Sequence, residues 1–244
     1  DTDRSRGLGD VYKRQGVSLG RVAYETFPLT AENDFLPDLD AIPEETARRA
    51  KFIYINYPNN PTGAVATKAF YEKLVAWAKT YEVGVVSDLA YGALGYQGYE
   101  NPSFLSTPGA KDVGIEFYTF SKTFNMAGWR LAFAAGNDQM IEALNLIQDH
   151  LFVGIFPALQ EAGIAALLDP KSEEVVAQLN ATYDSRRDAF VQAAAKIGWQ
   201  AFPSRGSFYA WMPVPEGYTS ESFADLLLEK VHVAVACLLY TSDA

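Results

Sequence analysis

Four short, near-continuous apolar runs constrain this chain more than any other feature: "KFIYIN" (51–56), "VGVVSD" (83–88), "VGIEFYTFSK" (113–122) and "RLAFAAGN" (130–137). A strand buried on both faces reads as an unbroken apolar run rather than as an alternation. Between the first two runs, Phe70, Leu74, Trp77, Ala78 and Tyr81 recur at spacings of four, three, one and three, which trace one face of a helix. Strands alternating with amphipathic helices build a sheet with helices on its faces. The predicted fold class is therefore α/β, a three-layer large domain with a mainly parallel sheet.

The ends of the runs carry the chemistry. In parallel sheets ligands bind beyond the carboxyl ends of the strands. Here the runs end at Asn59 and Asn60, at Asp88, and at Lys122. These residues are distant in sequence, but a parallel sheet brings strand ends to one edge. Lys122, in "TFSKTFNMAGWR", is the most demanding of them, because a buried ammonium is costly unless it is paired, neutralised or used chemically.

The remainder is less specific. "RVAYETFPL" (21–29) alternates well enough for a strand, and "PEETARRA" predicts a short helix with Pro43 at its start. Asn137 and Asp138 are good caps for a helix over the following residues. A long helix is expected from about Ser172 to Ile197, with Gly198 as its terminator. "WQAFPSRGSFYAWMPV" (199–214) alternates like a hairpin, and "SESFADLLLEK" reads as another amphipathic helix. The expected division is a large domain over 16–168 and an incomplete small α/β domain over 169–236. The ends, 1–15 and 237–244, are polar or irregular and resemble translated adaptor sequence, so both are expected to be non-native tails.

Composition narrows the partners. With 49% apolar and 20% charged residues, the 244-residue chain can bury a sizeable core. A formal charge of −10 argues against a nucleic-acid or anionic-membrane partner, both of which need a basic surface. One cysteine, Cys237, precludes an internal disulfide and agrees with a reducing, cytoplasmic setting. The two histidines, His150 and His232, form no zinc-like pattern with it. No apolar run approaches the roughly 18 residues of a membrane span.

A pyridoxal 5'-phosphate site needs a lysine amine for a Schiff base and a carboxylate for the pyridine nitrogen. It also needs donors for the ring hydroxyl, and hydroxyls with an arginine for the phosphate. The strand ends offer Lys122, Asp88, Tyr91, Asn60, Thr119, Ser121 and Arg130. Each has an ordinary role that it could fill alone. Asp88 could be a helix N-cap after a strand, Asn60 and Gly63 could shape a turn, Tyr91 could pack, Arg130 could pair at the surface and Lys122 could reach solvent.

The motifs together remove that ambiguity. "NNPTG" (59–63), "SDLAY" (87–91) and "TFSKTFNMAGWR" (119–130) occur in the order and at the spacing of the three core motifs of class I/II aminotransferases, fold type I pyridoxal phosphate enzymes. The chain resembles that family over about residues 16–236, and "FLPDLDAIPEETARRAKFIYINYPNNPTGAV" is similar to LL-diaminopimelate aminotransferases and close relatives. The resemblance implies that Lys122 is the Schiff-base lysine and proton shuttle, and that Asp88 pairs with the pyridine nitrogen. It implies that Tyr91 and Asn60 hold the ring oxygen, while Thr119, Ser121 and Arg130 meet the phosphate. An amino acid and a 2-oxo acid, with LL-diaminopimelate and 2-oxoglutarate among the candidates, are the implied small-molecule substrates, with a homodimer as the full-length form.

The same resemblance leads one to expect a phosphate-gripping loop and a ring-stacking aromatic before residue 16, and a carboxylate-binding arginine near the C-terminus. "VHVAVA" runs into "CLLYTSDA" without that arginine, so a truncated copy is expected. Two other functions stay open on these residues: a fold-related lyase or decarboxylase, and a non-catalytic sensor. Phe208 in "GSFYAW" could face substrate or pack in a core.

Overall fold

A computed structural model describes residues 19–202 and 204–236; both expected tails lie outside them. Four strands form one sheet in the order β1 (Phe52–Asn56), β2 (Gly84–Asp88), β3 (Gly114–Thr119) and β4 (Ala132–Gly136). The first two pairings are parallel, Tyr54 opposite Val86 and Ser87 opposite Glu116, while β4 runs antiparallel to β3. The α/β, mainly parallel reading thus holds, and the antiparallel strand is the last of the four runs.

Helix α1 (Glu44–Arg49) precedes β1, with Pro43 at its start. Helix α2 (Lys68–Tyr81) makes the crossover from β1 to β2. Thr67 caps α2 by accepting from Phe70 N at 3.1 Å, and the helix ends where Glu82 turns left-handed and Val83 N–H donates to Ala78 O. Its inward face, Phe70, Tyr71, Leu74, Val75 and Ala78, packs with Ile53, Ile55 and Val85 of the sheet. Burying one such side chain contributes roughly 1.5–3 kcal/mol, so this layer dominates the stability of the sheet. Two of these side chains, Tyr71 and Leu74, are wholly inaccessible.

The opposite sheet face is more open than an unbroken apolar run implies. Phe52 and Tyr54 are exposed, and with Val86 and Phe117 they line a groove of about 870 Å³ closed on one side by Met140 and Leu144 of α5 (Asp138–Ile147). The short helix α3 (Ala110–Val113) leads into β3, and α4 (Phe120–Thr123) leaves it. Beyond β4 the chain is helical: α5, α6 (Pro157–Leu168), α7 (Ser172–Lys196) and α8 (Ser220–Val231). Asn137 caps α5 by accepting from Gln139 N and Met140 N.

Two expected elements do not form. Residues 22–30 have no regular structure; Pro28 lacks a donor, and Phe27 and Leu29 instead lie against the core as side chains. The described residues of 199–214 make no hairpin. Phe202 N–H donates to Trp211 O, but Ser207 sits at φ +65°, which breaks an extended course, and the segment bonds to Leu94 and Tyr96 of the loop after β2 instead. Residues 169–236 therefore contribute helices and an isolated bridge, Gly206 to Gly95, rather than a second sheet among the described residues.

Candidate active site

The candidate residues gather because β1, β2 and β3 run parallel and end at one edge. Asn56 and Asp88 are register partners there, and the Asn56 side-chain amide donates to Asp88 O at 2.9 Å. The Asn56 carbonyl oxygen of the side chain accepts from Asn60 N at 3.0 Å. Asn56 thus joins the "NNPTG" turn to the end of β2. Sequence reading passed over it; its place as the last polar residue of an apolar run was the available signal.

Within the turn, Asn59 accepts from Thr62 N–H and from the Thr62 hydroxyl, so the loop is cross-linked and buried. Asn60 itself is half-buried at the rim. Asp88 accepts from Ala90 N at 3.2 Å, which turns the chain and brings buried Tyr91 back over the edge. Asp88 is thus no helix N-cap: the helix nearest after it begins only at Phe104, and its carboxylate caps a turn instead.

Lys122 lies in α4, one turn past β3, and is half-buried. Its Nζ stands 5.9 Å from the Tyr91 ring centroid and 5.1 Å from that of Phe208. Among the described residues no carboxylate pairs with it; aromatic faces receive the ammonium instead. Behind them Tyr183 of α7 stacks on Phe208 at 5.5 Å, and the Tyr209 hydroxyl lies 3.2 Å from that of Tyr91. Tyr183 and Tyr209 were not foreseen, since aromatic residues at these positions look like any packing residue. Phe208, left open between substrate and core, borders the lysine.

The segment that carries Phe208 and Tyr209 is held against the site. A Cβ on Gly63, which sits at φ +71°, would fall 2.2 Å from Ser204 Oγ, so only glycine allows residues 204–207 to pack on the turn. Ser207 N–H donates to Leu94 O and Tyr96 N–H to Arg205 O. Burial pushes the Tyr96 phenol up to about 12, and its hydroxyl donates to Ser207 O.

Thr119 and Ser121 face each other at the end of β3. Thr119 Oγ1 accepts from Ser121 N at 3.1 Å and lies 3.0 Å from Ser121 Oγ. Arg130 reaches this end through its backbone, for the adjacent Leu131 O accepts from Phe120 N. Its guanidinium is turned outward, exposed, and donates to Ala127 O at 3.0 Å; no bond joins it to either hydroxyl. The sheet-face groove is lined by apolar side chains together with Lys79, Glu82 and Asp112, and none of the strand-end candidates lines it, so the edge rather than the groove is the candidate site.

The donor set suits pyridoxal 5'-phosphate: the Lys122 amine over the Tyr91 ring, with Asp88 and the Thr119 and Ser121 hydroxyls at the ends of the neighbouring strands. A fold with this set at its strand ends defines a pyridoxal phosphate enzyme of fold type I. The model of the class I and II aminotransferase family matches residues 13–241, and the chain belongs to that family. It is 55% identical over 221 residues to an L-glutamine–4-(methylsulfanyl)-2-oxobutanoate aminotransferase of Bacillus subtilis, covering 91% of this chain and 55% of that protein. It is 51% identical over 208 residues to the LL-diaminopimelate aminotransferase of Moorella thermoacetica, covering 85% of this chain and 53% of the relative. The substrate-bound structure of BacF from B. subtilis superposes with a TM-score of 0.88 at 43% identity, over 93% of this chain and 58% of BacF. The chain thus spans little more than half the length of these relatives. Among the described residues no helix is long and apolar enough to cross a membrane.

Proposed function

We propose that the chain carries the cofactor core of a pyridoxal 5'-phosphate-dependent aminotransferase that moves an amino group between an amino acid and a 2-oxo acid. The observation that carries this reading is the meeting of Lys122 with Tyr91, three residues beyond Asp88, at one strand-end edge. LL-diaminopimelate with 2-oxoglutarate is the proposed pair, supported by the sequence likeness, with L-glutamine as the comparison donor. Residues 16–168 form the proposed cofactor-binding domain and 169–236 part of the small one. A cytoplasmic homodimer is the proposed working form, to be checked by sedimentation.

Bound cofactor supplies an aldehyde for amines and a ring that accepts the electron pair left by α-proton removal. Lys122 would hold the aldehyde end of the cofactor, and its amine would carry the α-proton. Asp88, whose backbone oxygen accepts from Asn56, would face the ring nitrogen. The Tyr91 hydroxyl and the Asn60 amide would hold the ring oxygen. Thr119, Ser121 and Arg130 would hold the phosphate; without it the two hydroxyls bond to each other and the guanidinium to Ala127 O.

Incubation with pyridoxal 5'-phosphate followed by borohydride should place a stable label on Lys122, found by peptide mapping, and Lys122→Ala should carry none. A label spread over surface lysines, or undiminished in Lys122→Ala, refutes the assignment.

A further inference from the structure

We propose that Glu116 is a positioning residue for this site, resting on the cofactor reading above: its carboxylate closes the loop that carries Asp88 and Tyr91 and fixes it against the strand that leads to Lys122. Glu116 lies mid-way along β3 and is 6% exposed, the one acidic or basic residue in the buried class among the described residues. Oε2 accepts from Ser87 Oγ at 2.9 Å and from Phe104 N at 2.8 Å, and Oε1 from Ser103 Oγ at 2.5 Å. An apolar side chain at a wholly buried position avoids the desolvation cost of a carboxylate, so the acid needs a reason to be there.

The donors supply the reason. Ser87 is the last residue but one of β2, just before Asp88, and Ser103 with Phe104 begins the turn at the far end of the excursion. Both ends of the loop meet on a single carboxylate. Inside it, the Asn101 amide donates to Gly92 O and Leu94 O, and Leu89 N–H donates to Phe117 O, the residue after Glu116. Strand β3 therefore grips the loop at its start and finish and then continues to Thr119 and Lys122. Because successive side chains of a strand point to opposite faces, Glu116 and Ser87 work from the buried face while Asp88 presents to the other. Glu116 acts on the site without touching what binds there.

The test uses the full chain and two variants, Glu116→Ala and Glu116→Gln, with amide hydrogen exchange and borohydride trapping of pyridoxal 5'-phosphate. Losing hydrogen bonds to a charged group should accelerate exchange at Leu89, Gly92 and Leu94 by about tenfold or more in Glu116→Ala, with α2 unaffected. Glu116→Gln, which keeps an acceptor oxygen, should recover most of the protection. The concentration of pyridoxal 5'-phosphate that half-labels Lys122 should rise by about tenfold in the alanine variant and return toward normal in the glutamine variant. Equal acceleration of α2 and the loop, or an unchanged half-labelling concentration, overturns the proposal, since a merely structural role predicts the first and no role predicts the second. Should Glu116→Ala not fold, Ser103→Ala removes one donor and is expected to loosen the same three amides; unchanged exchange there also overturns it. If the unaltered chain leaves Lys122 unlabelled, the cofactor reading fails by itself, and the exchange measurement alone decides whether Glu116 closes the loop.

Discussion

The segment from Phe35 to Ala110 and the helices after β4 both have amphipathic sequences, but they bury them differently. The first holds the entire core cluster, in which Tyr71, Leu74 and Phe104 are fully inaccessible. After Leu131, the only apolar residues in the buried class among the described residues are Ala194 and Ala224, while Val175, Phe190, Ile197, Leu228 and Val231 stay exposed. Helical periodicity makes an apolar face; it stabilises a helix only where another surface covers that face. The α2 layer has the sheet. Helix α7 is attached largely through polar contacts: Asn180 donates to Ala93 O, Asp184 accepts from Gln97 N, and Arg187 donates to Ser204 O.

The contrast is broken most directly in the α2 layer. Leu74→Ala should cost about 2–5 kcal/mol in urea unfolding, because it leaves a cavity at a site that cannot collapse. A loss below about 1 kcal/mol would remove the claim that this layer dominates.

Arg187→Ala tests the other side of the seam. Its side chain is 12% exposed, pairs with Asp184 at 2.8 Å and with Asp188, and lies over the Tyr96 ring. Removing it should cost about 1–3 kcal/mol, read as faster exchange in α7 with β1 to β3 still protected. Uniform acceleration would mean that the two regions open together.

The seam also has a pH signature. Burial raises the phenols of Tyr57, Tyr71 and Tyr96, the last to about 12, so the folded chain favours their neutral forms. Stability from Tyr96 is complete below its unfolded value near 10 and is lost as pH rises toward 12. Alkaline melts should show that decline, and Tyr96→Phe should blunt it while costing about 1 kcal/mol for the lost hydroxyl bond at neutral pH. The smallest effect belongs to the surface. Glu44→Gln, which removes an exposed partner of Arg48, should change stability by no more than about 0.5 kcal/mol and less in salt.

Much of this was legible in the residues. The four runs became β1 to β4, and Phe70, Leu74 and Ala78 became the buried face of α2, because short-range period follows from backbone geometry. The strand ends Asp88 and Lys122 with Tyr91 met as a parallel sheet requires. What failed was long-range. The alternation of residues 199–214 looked like a hairpin, yet the segment took its shape from Gly63, Leu94 and Arg187. Glu116 reads as a charge interrupting an apolar run, and nothing near it in sequence announces Ser103.

Sequence alone determined the class of fold, the four strands in order with the helices between and after them, and the candidate residues at the strand ends. Those follow from local propensity, apolar period and motif spacing. Tertiary structure alone decided that Phe208 borders Lys122 and Tyr209 meets Tyr91, that the Arg130 guanidinium donates to Ala127 O rather than to Thr119, and that one buried carboxylate accepts from both ends of the loop of Asp88 and Tyr91. These depend on contacts between residues up to 118 positions apart, whose geometry is set by packing after the strands have paired.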